Sequence, residues 1–127
     1  MRSFCGSVWI VFLLMAGCTS SMVMTPEEQV RQRAQERIDF LLAGDLTKSM
    51  EYTTPAYRQA STRGRYGARF AGAANWTSAE VESVACEAER CEVSVQISYQ
   101  LPRPRITNTR SLEEVWIKVD GQWYIYL

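Results

Sequence analysis

From Cys91 to Leu101 the chain alternates without a break. Cys91, Val93, Val95, Ile97, Tyr99 and Leu101 take one set of positions, and Glu92, Ser94, Gln96, Ser98 and Gln100 take the other. Successive residues of a strand point to opposite faces, so this pattern predicts a half-buried antiparallel strand. Such a strand needs partners, and the flanking sequence supplies them. Val81 to Cys86 and Leu112 to Val119 read as strands, with a loop from Pro102 through Thr109. Asp120-Gly121 is a hairpin turn signal. Trp123 to Leu127 follows as the last strand. Both faces of the last two strands carry apolar residues, so both are expected to be partly covered.

Before Trp76 the period is helical. Thr25-Pro26-Glu27-Glu28 is a helix start: Thr25 caps, Pro26 fits the first turn and Glu28 closes a capping box. Val30, Ala34, Ile38, Leu41 and Leu42 recur on one face, with Arg31, Gln32, Gln35 and Glu36 on the wet side. Gly44 ends this helix, and Asp45 caps a short second one carrying Leu46, Met50 and Tyr52. Thr54-Pro55 restarts the chain as a third helical piece with Tyr57 and Ala60. Gly64, Gly67 and Gly72 predict a loose or irregular stretch.

Helices followed by a run of strands argue an α+β class. A first helix ending near Leu41-Leu42-Ala43-Gly44-Asp45, a short second helix and a closing hairpin, Val115-Trp116-Ile117-Lys118-Val119-Asp120-Gly121-Gln122-Trp123-Tyr124-Ile125, together resemble the nuclear-transport-factor-2-like, or SnoaL-like, superfamily. The resemblance covers residues 26–127. It implies a cystatin-like cone: N-terminal helices packed on a curved antiparallel four-strand sheet.

The N-terminus predicts an address. Arg2 supplies a positive charge, Val8 to Ala16 an apolar core, and Ala16 and Gly17 small residues. That is the pattern of a secretory signal, too short for a span of about 20 apolar residues. Met15-Ala16-Gly17-Cys18 resembles the lipobox of bacterial lipoproteins, with Met15 where the family prefers leucine. The resemblance implies a signal peptide over residues 1–17, cleavage before Cys18 and lipidation of that cysteine. Residues 18–25 then form a tether, and residues 26–127 the domain. Thr19 after the cysteine resembles the pattern for sorting to the outer membrane, so the expected place is the bacterial envelope, anchored and facing the periplasm. The alternative is an ordinary signal peptide with an incidental Cys18.

Removing the leader leaves about 110 residues, one domain with one small core. Cys5 leaves with the leader. Cys86 and Cys91 remain, in an oxidising setting where disulfides persist. The spacing CEAERC places them on facing strands of a tight hairpin, where a bridge contributes about 2 kcal/mol. A redox pair or half a metal site are the rival readings. The first usually has two intervening residues, and the second lacks further ligands.

The sequence has no histidine, which removes the commonest general base and metal ligand. No metal site or cofactor is expected. Enzymes of the resembled superfamily place Asp, Tyr or His inside the cone. Here the isolated carboxylates and phenols include Asp39, Asp45, Glu114, Tyr57, Tyr66 and Tyr99, and no catalytic motif carries over. Asp45 reads as a cap. Asp39 lies beside the apolar face, where an inward turn would raise its pKa; the alternative is a solvated Asp39. Asp39, Tyr57, Tyr99 and Trp116 are the candidate cavity-lining residues. Tyr66, Phe70 and Trp76 fall where such cones have a rim, and Trp123, Tyr124 and Tyr126 fall on the sheet. Each of these aromatics also suits plain core filling.

Charge is unevenly placed although 14 basic residues balance 14 acidic ones. Arg58, Arg63, Arg65 and Arg69 lie in a stretch without acids, as do Arg103, Arg105 and Arg110. At one end of the fold they would form a guanidinium patch for carboxylate or phosphate. The alternative is a set of solvated loop arginines. The expected partners are the membrane, through the anchor, and another envelope protein or anionic envelope component. A homodimer stays open, and nucleic acid is not expected. Three functions compete: a non-enzymatic binding or assembly module, a binder of a small apolar ligand in the cone, and an isomerase- or dehydratase-like enzyme using an inward carboxylate.

Overall fold

The computed structural model describes residues 17, 22–101 and 106–127. The leader before residue 17, Cys18, part of the tether, Arg103 and Arg105 lie outside the described residues. Helix α1 runs Pro26–Leu42. Its capping box is formed: the Glu28 amide donates to the Thr25 hydroxyl at 3.2 Å, and the Thr25 amide donates to the Glu28 carboxylate at 2.9 Å. Gly44 ends it in the left-handed region, φ 74°. Helix α2 is Leu46–Met50, capped by Asp45, and α3 is Pro55–Ala60, capped by Thr54.

The next segment departs from expectation. Arg63–Arg69 forms a regular helix, α4, capped by Thr62, and Ala71–Asn75 forms a 3₁₀ turn. Gly64 and Gly67 argue against a helix on propensity, but packing overrides them. Tyr66 is fully buried. A Cβ at Gly67 would lie 2.9 Å from Leu46 Cδ1, so this glycine lets α4 cross α2 closely.

Four strands follow: β1 Trp76–Glu87, β2 Arg90–Gln100, β3 Thr107–Val119 and β4 Gln122–Tyr126. They form one antiparallel meander in the order β1-β2-β3-β4. β1 starts five residues before the expected Val81. Register shifts at Trp76/Ser78 and Val81/Ser83 break its alternation, which hides its first residues from a period-two reading and bends the strand. β3 starts at Thr107 rather than Leu112, because Thr107, Asn108 and Thr109 pair with Gln100, Tyr99 and Ser98. The β3–β4 turn has both Asp120 and Gly121 at positive φ, 48° and 81°, as the Asp-Gly signal requires. Cys86 and Cys91 are register partners and are joined by a disulfide.

The helices cover one face of the sheet. Val30, Ala34 and Ile38 of α1 pack with Val93, Val95, Ile97, Trp116, Trp123 and Ile125. A second cluster joins Leu41, Tyr66 and Ala73, with Phe70 and Trp76 against it. Both sheet edges are partly closed. At β1, the Arg31 guanidinium donates to the Val81 carbonyl at 3.0 Å, while Gln35 donates to the Ala79 carbonyl and accepts from the Val81 amide. Arg31, still exposed on the wet side, and half-buried Gln35 therefore also cap an edge strand. At β4, the Ile125 amide donates to the Tyr52 carbonyl at 2.9 Å.

Candidate functional site

On the helix-facing side of the sheet, β2 contributes Cys91, Val93, Val95, Ile97 and Tyr99. Their β3 partners are Trp116, Glu114, Leu112, Arg110 and Asn108. The β3 row is therefore polar at three places, and each is handled differently. Glu114 lies deep. Its Oε1 accepts from Arg37 Nη1 at 2.8 Å, and its Oε2 accepts from Trp116 Nε1 at 2.9 Å. Arg37 is fully buried, with its guanidinium carbon 4.6 Å from the Phe70 ring centroid. Its Nε and Nη2 make no hydrogen bond among the described residues. This ion pair and the two buried tryptophans fill the middle of the space between helices and sheet.

Towards the other end the space opens. Gly72, Asn75 and Trp76 on one side and Tyr99, Leu101 and Arg110 on the other line a solvent-open groove of about 290 Å³. The segment leaving α4 thus meets the end of the β2–β3 hairpin. Aromatic walls with one guanidinium and two side-chain amides, Asn75 and Gln100, suit an apolar group carrying a negative charge.

No protein-family model matches the chain, and no curated protein matches it by sequence. Solved structures do. A protein described as an NTF2-like transpeptidase from Campylobacter jejuni superposes with a TM-score of 0.57 at 15% identity, over 76% of this chain and 95% of that one. The fold is NTF2-like. A SEC-C motif containing protein from Rhodopseudomonas palustris gives a TM-score of 0.58 at 14% identity, over 75% of this chain and 73% of that one. Another from Psychrobacter arcticus gives 0.64 at 12% identity, over 82% of this chain and 62% of that one. Identities this low carry the fold and no activity.

Within this fold the residues singled out by sequence scatter. Asp39 is exposed and accepts a hydrogen bond from Gln35 at 3.0 Å; it follows Ile38 around the helix onto the outside and does not line a cavity. Trp116 is fully buried core. Tyr57 is half-buried, its ring edge-on to Tyr66 at 6.4 Å. Of the four, Tyr99 alone lines the groove.

The arginines also divide. Arg110 stands at the groove, Arg63 donates to the Thr47 hydroxyl at 3.1 Å, and Arg65 and Arg69 are exposed on α4. Arg58 lies elsewhere, 5.7 Å from the Tyr124 ring and donating to the Glu51 carbonyl. Among the described residues no group of three or more His, Cys, Asp or Glu side chains is arranged to hold a metal ion. The Arg37–Glu114 pair went unread in the sequence. Its only local sign is an arginine set among the apolar positions of α1, beside Ile38.

One phenol is electrostatically distinct. The Tyr52 hydroxyl donates to Glu36 at 2.9 Å. Partial burial, then that hydrogen bond and the Glu36 charge, raise its pKa above the ordinary tyrosine value, against the opposing charge of Arg33.

Proposed function

We propose that the protein is a lipid-anchored module of the bacterial envelope that binds an anionic partner at the open end of its cone and catalyses no reaction. The observation that carries this reading is the division of the interior. Trp116, Trp123 and the Arg37–Glu114 pair occupy the middle, and the open space lies at the groove beside Arg110. Both Glu114 oxygens are engaged, so it is poorly placed as a general base. Acyl transfer needs a nucleophile with an adjacent base. Cys86 and Cys91 are joined to each other, and the chain has no histidine. A transpeptidase reading carried over from the Campylobacter jejuni protein therefore gains little support.

The anchor rests on Met15-Ala16-Gly17-Cys18 and its resemblance to a lipobox. Two or three acyl chains on Cys18 would hold the domain durably at a membrane, where one would not. The partner is then an acidic protein face or an anionic envelope component within reach of the tether, on the periplasmic side of the outer membrane. A second reading, a small apolar ligand seated between Trp76, Tyr99 and Leu101, is favoured by the aromatic walls of the same groove.

A photo-crosslinking side chain placed at Asn75 in cells tests the proposal. An envelope adduct is expected. It should vanish on charge reversal at Arg65, Arg69 and Arg110, and persist on reversal at Glu80 and Glu82. An adduct indifferent to the arginines rejects the anionic partner. For the anchor, Cys18→Ser should lose acyl label and leave the membrane fraction; retention of either rejects lipidation at this site.

A further inference from the structure

On the outer surface, two arginines converge on one aromatic ring. Arg33, half-buried, projects from α1 at the flank of the buried stripe, one turn before Arg37. Its Nε donates to the Trp123 carbonyl at 2.7 Å, and its guanidinium carbon lies 4.7 Å from the Tyr52 ring centroid and 5.5 Å from that of Tyr124. Arg58 comes from α3 and stands 5.7 Å from the same Tyr124 ring. Both line a surface pocket of about 380 Å³ with Glu51, Tyr52, Gln122 and Tyr124.

We infer that this pocket is a recognition site for a phosphate-bearing group, held by Arg33 and Arg58 over Tyr124. The site goes beyond the cone mouth and depends on neither the groove nor the anchor.

The first argument is unused donor capacity. A guanidinium carries five N–H donors. Arg33 uses its Nε and Arg58 one Nη in hydrogen bonds to backbone carbonyls, and neither makes another among the described residues. The second argument is charge. The two ion pairs among the described residues are Arg37–Glu114 and Arg90–Glu92, so no carboxylate lies within ion-pair distance of Arg33 or Arg58. Two like charges on one ring repel, and a bound anion relieves that repulsion. Glu36, the acid nearest Tyr52, already accepts the Tyr52 hydroxyl.

The third argument is preorganisation. Arg33 is clamped by two tyrosine rings and a backbone carbonyl, so it loses little freedom on binding. Planar forks of donors match the oxygens of a phosphate. Glu51 is the opposing feature. It lines the same pocket and repels an anion, which sets the sign of one test below.

The full chain, kept in neutral detergent micelles, is titrated first with inorganic phosphate and then with phosphatidylglycerol doped into the micelles. The Arg33 and Arg58 side-chain N–H signals are followed by NMR. A saturable shift of both is expected. Arg58→Gln, a half-exposed change that leaves the α1 clamp intact, should weaken binding by roughly tenfold or more, the value of a lost charge-assisted hydrogen bond. Glu51→Gln should tighten it. Response to both probes assigns a lipid head group as the source, and response to inorganic phosphate alone assigns a soluble phosphate group. Either supports the site. No saturable shift with either probe overturns it, as does a shift that Arg58→Gln and Glu51→Gln leave unchanged.

Discussion

Arg37 of α1 and Glu114 of β3 meet at 2.8 Å in a place where the arginine has no contact with solvent. They are 77 residues apart, and their contact fastens the first helix to the middle of the sheet. Removing one partner of such a pair leaves an uncompensated buried charge and costs about 3–5 kcal/mol. Glu114→Ala should therefore lower the unfolding free energy by that amount, read as a lower urea midpoint at unchanged slope. The double variant Arg37→Met with Glu114→Leu removes both charges and should recover most of the loss. A double variant as unstable as the single one sinks the argument that buried charge, rather than packing, is what costs.

Where signals were local, the sequence was readable. Thr25 and Glu28 cap α1, the Cys91–Leu101 alternation is β2, and Asp120-Gly121 turns the last hairpin. The unread parts depend on partners distant in sequence. The first five residues of β1 went unread because a register shift between Trp76 and Ser78 breaks the alternation there. α4 hid because Gly67 answers to Leu46, which lies on another helix. The groove draws on Gly72 to Trp76 and on Tyr99 to Arg110, and no spacing rule joins those segments. Asp39 takes the solvated one of its two readings, because a single step around the helix from Ile38 is enough to leave the buried face.

The disulfide closes a very short loop, so its entropic contribution is small. The loop-closure relation gives about 2 kcal/mol for Cys86–Cys91. Reduction should lower the melting temperature by on the order of 10 °C while leaving the strand content intact, because beyond Cys86↔Cys91 the hairpin register continues through eight pairs, from Ala85↔Glu92 to Trp76↔Tyr99. Melting with and without reductant, followed by circular dichroism, measures this. Loss of the sheet on reduction contradicts the assignment of a staple on an already formed hairpin.

The two α4 glycines should respond differently to alanine. A Cβ at Gly64 meets only the Thr62 hydroxyl at 3.8 Å, whereas one at Gly67 meets Leu46 Cδ1 at 2.9 Å. Gly64→Ala should stabilise by about 0.5 kcal/mol through lower unfolded-state entropy. Gly67→Ala gains the same but must push Leu46 aside, so no net gain is expected. Gly67→Val should cost about 1–3 kcal/mol as overpacking. Denaturation midpoints decide it, and a stabilising Gly67→Val removes the close-approach explanation of this glycine.

Tyr52 should govern part of the alkaline stability. Its pKa is raised in the folded protein, by burial first and then by Glu36, so the folded state holds this proton more tightly than the unfolded chain. The resulting contribution is complete below the unfolded value of about 10 and is lost as pH climbs through the folded one. Tyr52→Phe should remove a late step from the tyrosinate absorbance titration and flatten the alkaline fall in the urea midpoint. Glu36→Gln removes the charge and the strongest acceptor while keeping the side chain's size, so Tyr52 should ionise earlier, nearer an ordinary tyrosine. An unchanged titration in Glu36→Gln would leave burial as the sole cause of the shift, and an unchanged alkaline fall in Tyr52→Phe would assign that loss of stability to other groups.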